Sequence, residues 1–70
     1  MPRSDIRNSI RRLRFEHDEM TQQQLAAAVG CTRQTILLLE HGRYTPSLAL
    51  AFRIARAFGK SVEEVFEFVE

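Results

Sequence analysis

Arg33 and Gln34 stand side by side, and both end in planar groups with several hydrogen-bond sites. A guanidinium donates two parallel hydrogen bonds to O6 and N7 of guanine, and a carboxamide pairs in the same two-pronged way with adenine. An α-helix fits the major groove, and residues near its N-terminus reach base edges. Two such side chains at consecutive outward positions at the start of a helix make a reading head for duplex DNA. Thr35, at the margin of that face, reaches either a base or a phosphate. Leu38 carries no hydrogen-bonding group; thymine-methyl contact and protein contact both stay open for it. Leu37 reads better as a protein contact or a plain exposed leucine.

Phosphates need a different set. The N-terminus of a helix starting at Thr21 presents free backbone N–H groups with Gln22 beside them, and such an end attracts an anion. Thr32 sits at the matching place on the next helix and joins the phosphate candidates. Arg43 and Tyr44 follow that helix, where a duplex backbone would pass, and Arg7 and Arg11 add charge from near the N-terminus. A lone arginine is as often a solvated surface residue, but together these suit a modest phosphate footprint.

No other chemistry competes. One cysteine, Cys31, forms no internal disulfide, and His17 and His41 do not complete a zinc site. No acid and base flank a nucleophile, and no glycine-rich phosphate loop is present, so neither an enzyme nor a cofactor or metal is expected. Apolar runs such as Leu25–Val29 are far too short to span a bilayer, and no basic-then-apolar leader opens the chain. The expectation is one small soluble domain in a reduced cytoplasm, with nothing left over for a small-molecule effector domain.

The formal charge of +1 hides a segregation. Residues 1–14 carry a net +4, residues 15–60 a net +1 and residues 61–70 a net −4. One end attracts polyanions and the other repels them.

The elements that must position these groups read as five helices, with no strand before the last few residues. The first runs from Ser4 or Asp5 to Glu16, with Ile6, Ile10 and Leu13 on one stripe and Arg3, Arg7, Arg11 and Arg14 beside it. Phe15 points away from that stripe. The second opens on the capping box Thr21-Gln22-Gln23-Gln24 and stops at Gly30. The third starts at Thr32 as N-cap and ends at Gly42. On a wheel of about 100° per residue, Ile36, Leu39, Thr32 and Thr35 share its inner side, leaving Arg33, Gln34, Leu37, Leu38 and His41 outside. The fourth spans Ser47 to Phe58 after Pro46, with Leu48, Ala51, Ile54, Ala55 and Phe58 turned inward. The fifth follows the box Ser61-Val62-Glu63-Glu64. The short joint at residues 30–32 forces a steep crossing, which small residues at Ala26 and Gly30 would allow the backbones to make closely.

A 70-residue chain buries little apolar surface and gains from a partner. Phe66, Phe68 and Val69 exceed what one small core absorbs, so a two-fold contact between copies is expected in segment 60–70. Two reading helices would then lie about 34 Å apart on a palindromic site.

The chain resembles the Cro and phage-repressor-like (Xre family) helix–turn–helix regulators, of the compact stand-alone type, over roughly residues 6–66. The resemblance rests on Met20-Thr21-Gln22, Leu25-Ala26, Val29-Gly30, Thr32-Arg33-Gln34-Thr35-Ile36, Leu39-Glu40, Gly42-Arg43-Tyr44, Pro46-Ser47-Leu48, and Ile54-Ala55 through Phe58-Gly59. It implies an all-α, five-helix, lambda-repressor-like DNA-binding domain spanning 1–70, with the helix–turn–helix at 21–42. The implied function is transcription regulation on double-stranded DNA, as a repressor by occlusion associated with a prokaryotic nucleoid. The position of Gln22 in such proteins bonds a phosphate through side chain and backbone. Those of Arg33, Gln34 and Leu38 face bases. That of Glu40 pairs with an arginine late in the first helix, here Arg14, with Arg11 as the alternative. The segment from Phe15 to Met20 is about one residue longer than the family pattern. The rival reading, for which exposed Leu37 and Leu38 and the C-terminal aromatics speak, is a partner-binding module of the same fold, such as an antitoxin docking a toxin-type protein.

Overall fold

Four of the five helices begin where a hydroxyl side chain takes the place of a missing backbone acceptor. In the computed structural model, which describes residues 5–69, Thr21 caps α2 (Gln22–Val29), Thr32 caps α3 (Arg33–Glu40), Ser47 caps α4 (Leu48–Ala57) and Ser61 caps α5 (Val62–Val65). In each case the hydroxyl accepts the N–H of the residue three positions on. At Thr21 and Ser61 the return bond from the cap N–H to Gln24 or Glu64 is also made, at 2.8 Å in both. That bond and the Ser61 hydroxyl hold the Glu64 carboxyl below its ordinary range. Two donors that would otherwise face water unpaired are thereby satisfied at each box.

The N-terminal segment departs from the helical expectation. Helix α1 covers only Ile10–Glu16, and Ile6–Asn8 forms a strand, β1, antiparallel to β2 (Phe66–Phe68). Arg3 and a helix start at Ser4 lie outside the described residues. The all-α expectation is corrected to five helices plus a two-stranded ribbon, in register Ile6↔Phe68, Arg7↔Glu67, Asn8↔Phe66. The cause is local. The Asn8 carboxamide oxygen accepts the Ile10 N–H at 3.1 Å, a side-chain bond that competes with continuing a helix through residue 8. Ser9 N–H then donates to Val65 O at 2.9 Å and Val69 N–H to Asp5 O at 2.7 Å, closing the ribbon at both ends.

The core is one cluster in which Ile10, Leu13, Leu25, Ile36, Leu39 and Ile54 are shut off from solvent. Phe66 belongs to this cluster, only 9% exposed, so its assignment to a contact between copies is corrected: a single chain already covers it. Leu48, expected inward, is 72% exposed. It is the first residue of α4, and in that same turn Leu50 and Ala51 are the residues turned into the core. Arg53 on α4 donates from Nε to Val29 O at 2.9 Å, filling one of the carbonyls left open at the end of α2.

Gly30 and Gly42 are required by backbone angle and not by crowding. Their φ values are +76° and +71°, and a Cβ at either place would meet nothing within 4 Å. The close-approach reason expected for Gly30 is therefore corrected. At Gly42 the following turn closes a Schellman motif, Gly42 N–H to Leu39 O at 3.0 Å and Arg43 N–H to Leu38 O at 2.9 Å. Gly42→Ala should cost about 1 kcal/mol of folding stability, the left-handed penalty alone. A urea titration showing a loss well beyond that would mean packing at this site.

Candidate nucleic-acid interface

Helix α3 is anchored at both ends and bare on its leading face. At its start, Thr32 Oγ1 accepts the Thr35 N–H at 3.2 Å and the two hydroxyls lie 3.0 Å apart. Thr35 is half-buried and engaged with Thr32, at the rim of the face that carries Arg33 and Gln34. Arg33 and Gln34 are exposed, and among the described residues neither side chain has a hydrogen-bond or ion-pair partner. Their donors are therefore free for a ligand. Ile36 and Leu39 point into the core, while Leu37 and Leu38 are half-buried at the flanks.

At the other end of α3 a polar knot joins three elements. Arg14 reaches from α1 and grips Glu40 with two prongs, Nε to Oε2 at 2.6 Å and Nη2 to Oε1 at 3.1 Å. Its remaining amino group donates to Met20 O at 2.7 Å. The pair is nearly desolvated, with side chains 15% and 6% exposed. Gln22, first residue of α2, donates from Nε2 to the same Glu40 carboxylate at 3.2 Å. A carboxamide nitrogen carries two protons, so one Gln22 N–H remains, next to the backbone N–H groups of Gln22 and Gln23 that no helical carbonyl can reach. Negative charge on Glu40 is matched locally by Arg14, so it does not repel an anion there.

Arg43 and Tyr44 are exposed in the loop that follows α3. Arg11, exposed on α1, lines an open groove with Arg12, Phe15 and Glu40, which sets it near the end of α3. Arg7 is set apart. It stands opposite Glu67 in the ribbon and borders a depression with Glu63 and Glu64, so acidic neighbours offset its field. Phe68 is 67% exposed and Val69 half-buried on the same ribbon. Sequence reasoning missed Asn8, whose carboxamide Nδ2 donates to Leu39 O at 2.8 Å across a separation of 31 residues. No local pattern announces a bond of that range.

Burial pushes the Cys31 thiol up, against a smaller opposite pull from the Arg53 guanidinium, so it is protonated at neutral pH and a poor nucleophile. Among the described residues no three His, Cys, Asp or Glu side chains gather as a metal would require. No helix among them is long and apolar enough to cross a membrane.

The helix–turn–helix family model matches residues 10–65, from the start of α1 to the end of α5. The chain belongs to the Xre/Cro-like helix–turn–helix family. Its similarity to other helix–turn–helix proteins extends beyond the motif itself. An HTH-type transcriptional regulator of Archaeoglobus fulgidus is 46% identical over 65 residues, covering 93% of this chain and 90% of that one. One from Methanothermobacter thermautotrophicus is 60% identical over 48 residues, 67% and 70% of the two chains. Among solved structures, the clp gene regulator ClgR of Corynebacterium glutamicum superposes with a TM-score of 0.71 at 29% identity, covering 79% of this chain and 57% of ClgR. As a helix–turn–helix protein the chain has α2 as its first motif helix and α3 as its second.

Proposed function

We propose that this chain is a sequence-specific regulator of transcription that binds double-stranded DNA as a homodimer and represses by occluding a palindromic operator. The observation that carries the reading is the pair Arg33 and Gln34, exposed, adjacent and without a partner among the described residues, on the first turn of a helix whose other end is locked to α1 and α2. With α3 in the major groove, Arg33 and Gln34 take base edges, and Thr35 and Leu38 border them. Gln22, Thr32, Arg43, Tyr44 and Arg11 supply phosphate contacts, and Arg7 contributes little. Such a protein works on the nucleoid, in the cytoplasm of a prokaryotic cell.

The mildly basic charge makes one copy a weak binder, which favours a dimer. Phe68 and Val69 are the remaining apolar residues of the tail for that contact, since Phe66 is enclosed. Selection of bound duplexes from a random pool at physiological salt, with the mass of the protein measured in solution, tests both parts. A two-fold-symmetric consensus and a dimer mass support the reading. No enrichment supports the rival, a protein-docking module, for which exposed Leu48 and Phe52 on α4 offer an apolar face. Within the DNA reading, Arg43→Ala is expected to weaken binding to every duplex and to lower the slope of log affinity against log salt by about 1. An unchanged slope takes Arg43 off the phosphate contacts.

A further inference from the structure

Asn8 stands where three elements meet. Its backbone pairs with Phe66 in the ribbon, its Oδ1 takes the Ile10 N–H that opens α1, and its Nδ2 donates to Leu39 O in the last turn of α3. Leu39 O already accepts the Gly42 N–H at 3.0 Å, so Asn8 fills the second lone pair of a carbonyl at the helix end. The neighbouring Ser9 N–H holds Val65 O at 2.9 Å, which ties the same joint to the end of α5. The Arg14–Glu40 pair grips a side chain of this last turn, whereas Asn8 grips the main chain.

We propose that Asn8 is a positioning residue for base reading: through Leu39 O the terminal ribbon fixes the direction in which α3 aims Arg33 and Gln34. The proposal rests on the DNA-binding function above. An eight-residue helix is about 12 Å long. A tilt of roughly 5° at the held end displaces the opposite end by about 1 Å, enough to break the geometry of a bidentate hydrogen bond. Ribbon pairing and sequence reading are thereby coupled, so a contact made on the ribbon is felt at the reading end.

The discriminating variant is Asn8→Asp. It keeps the size of the side chain and the acceptor for Ile10, but it sets a carboxylate oxygen against Leu39 O in place of a donor. Asn8→Ala removes both bonds. Three chains are compared well below their melting temperatures for the ratio of affinities on the selected duplex and on random duplexes, and for hydrogen exchange of the Gly42 and Arg43 amides. The added charge of Asn8→Asp weakens both duplexes alike and cancels in the ratio. Expected is a fall in the ratio of about tenfold in both variants, the worth of one base contact, with faster exchange at Gly42 and Arg43. An Asn8→Asp chain that keeps the wild-type ratio overturns the proposal, whatever Asn8→Ala does, because the α1 cap alone then explains Asn8. A wild-type chain without preference defeats the DNA reading and the positioning role together. The exchange rates then still report whether the clamp on α3 exists.

Discussion

Arg33→Ala and Gln34→Ala should each cost about 1–3 kcal/mol of affinity for the preferred duplex and relax the choice of base at one position. Both side chains are exposed and bonded to nothing among the described residues, so neither change should move the melting temperature appreciably. Loss of a bidentate base contact falls on the cognate sequence, whereas loss of a phosphate contact falls on all sequences. On random duplexes Gln34→Ala should therefore be nearly silent, and Arg33→Ala should show only the small effect of one missing charge. Titrations of both duplexes at one fixed salt concentration decide the matter. Equal losses on cognate and random DNA would reduce Arg33 and Gln34 to phosphate contacts and leave the protein without a reading head.

The second large effect is on folding. Arg14→Ala strands the Glu40 carboxylate, and Glu40→Ala strands the Arg14 guanidinium, each in a nearly desolvated place. Removing one member of a buried pair costs about 3–5 kcal/mol, because the survivor keeps its desolvation penalty without compensation. A domain of this size has roughly 4–10 kcal/mol in all. Either variant should therefore lose much of its urea resistance and approach unfolding near body temperature. The pair as such need not be strongly stabilising. Arg14→Met/Glu40→Leu replaces it with apolar volume and should recover most of the loss. The recovered chain should still bind DNA less well, since Gln22 has lost the carboxylate that orients its amide. Single variants no worse than ordinary surface changes, below about 1 kcal/mol, would mean that water reaches the pair and the knot does not hold α3.

What the sequence shows of this fold is what is short in range. The caps at Thr21, Thr32, Ser47 and Ser61 each depend on groups three residues apart, so the starts of α2 to α5 are legible from residue type alone. The inward side of α3 is legible for its apolar residues, since Ile36 and Leu39 recur at helical spacing and are both buried, whereas Thr32, expected on the same side, is exposed as the cap and Thr35 is only half-buried. The ribbon is not legible. Three residues are too few to show alternation, and the partner of Ile6 is Phe68, at the far end of the chain. Ile6 also fits the helical stripe of Ile10 and Leu13, and nothing local breaks the tie except Asn8 and Ser9, which favour a cap. Phe66 misleads for the same reason: as a tail residue it seems spare until β1 carries the tail back over the core. Leu48 shows the limit of periodicity: it shares a stripe with Ala51 and Ala55, yet the buried face is centred toward Leu50, Ala51 and Ile54 and leaves Leu48 at its exposed edge. Asp18 and Glu19, at φ +55° and +53°, absorb the longer α1–α2 connection in a left-handed turn that residue types other than glycine seldom reveal.

The site divides along the same line. Arg33, Gln34, Arg43 and Tyr44 are placed by the local grammar of one capped helix and its terminating turn, and all four are exposed. Their orientation relative to the rest depends on bonds of long range, Arg14 to Glu40, Gln22 to Glu40 and Asn8 to Leu39, separated by 26, 18 and 31 residues. Those bonds set how firmly α3 is held, and firmness is what separates a helix that merely meets DNA from one that reads it.

The most direct measurement pairs a base with a side chain. Each guanine of the selected duplex is replaced in turn by 7-deazaguanine, which removes the N7 acceptor in the major groove, and binding is measured for the native chain and for Arg33→Ala. At one guanine per half-site the native chain should lose about tenfold in affinity, and Arg33→Ala should lose nothing further, because the same hydrogen bond is already gone. Identical losses for both proteins at every guanine would show that Arg33 does not face the major groove.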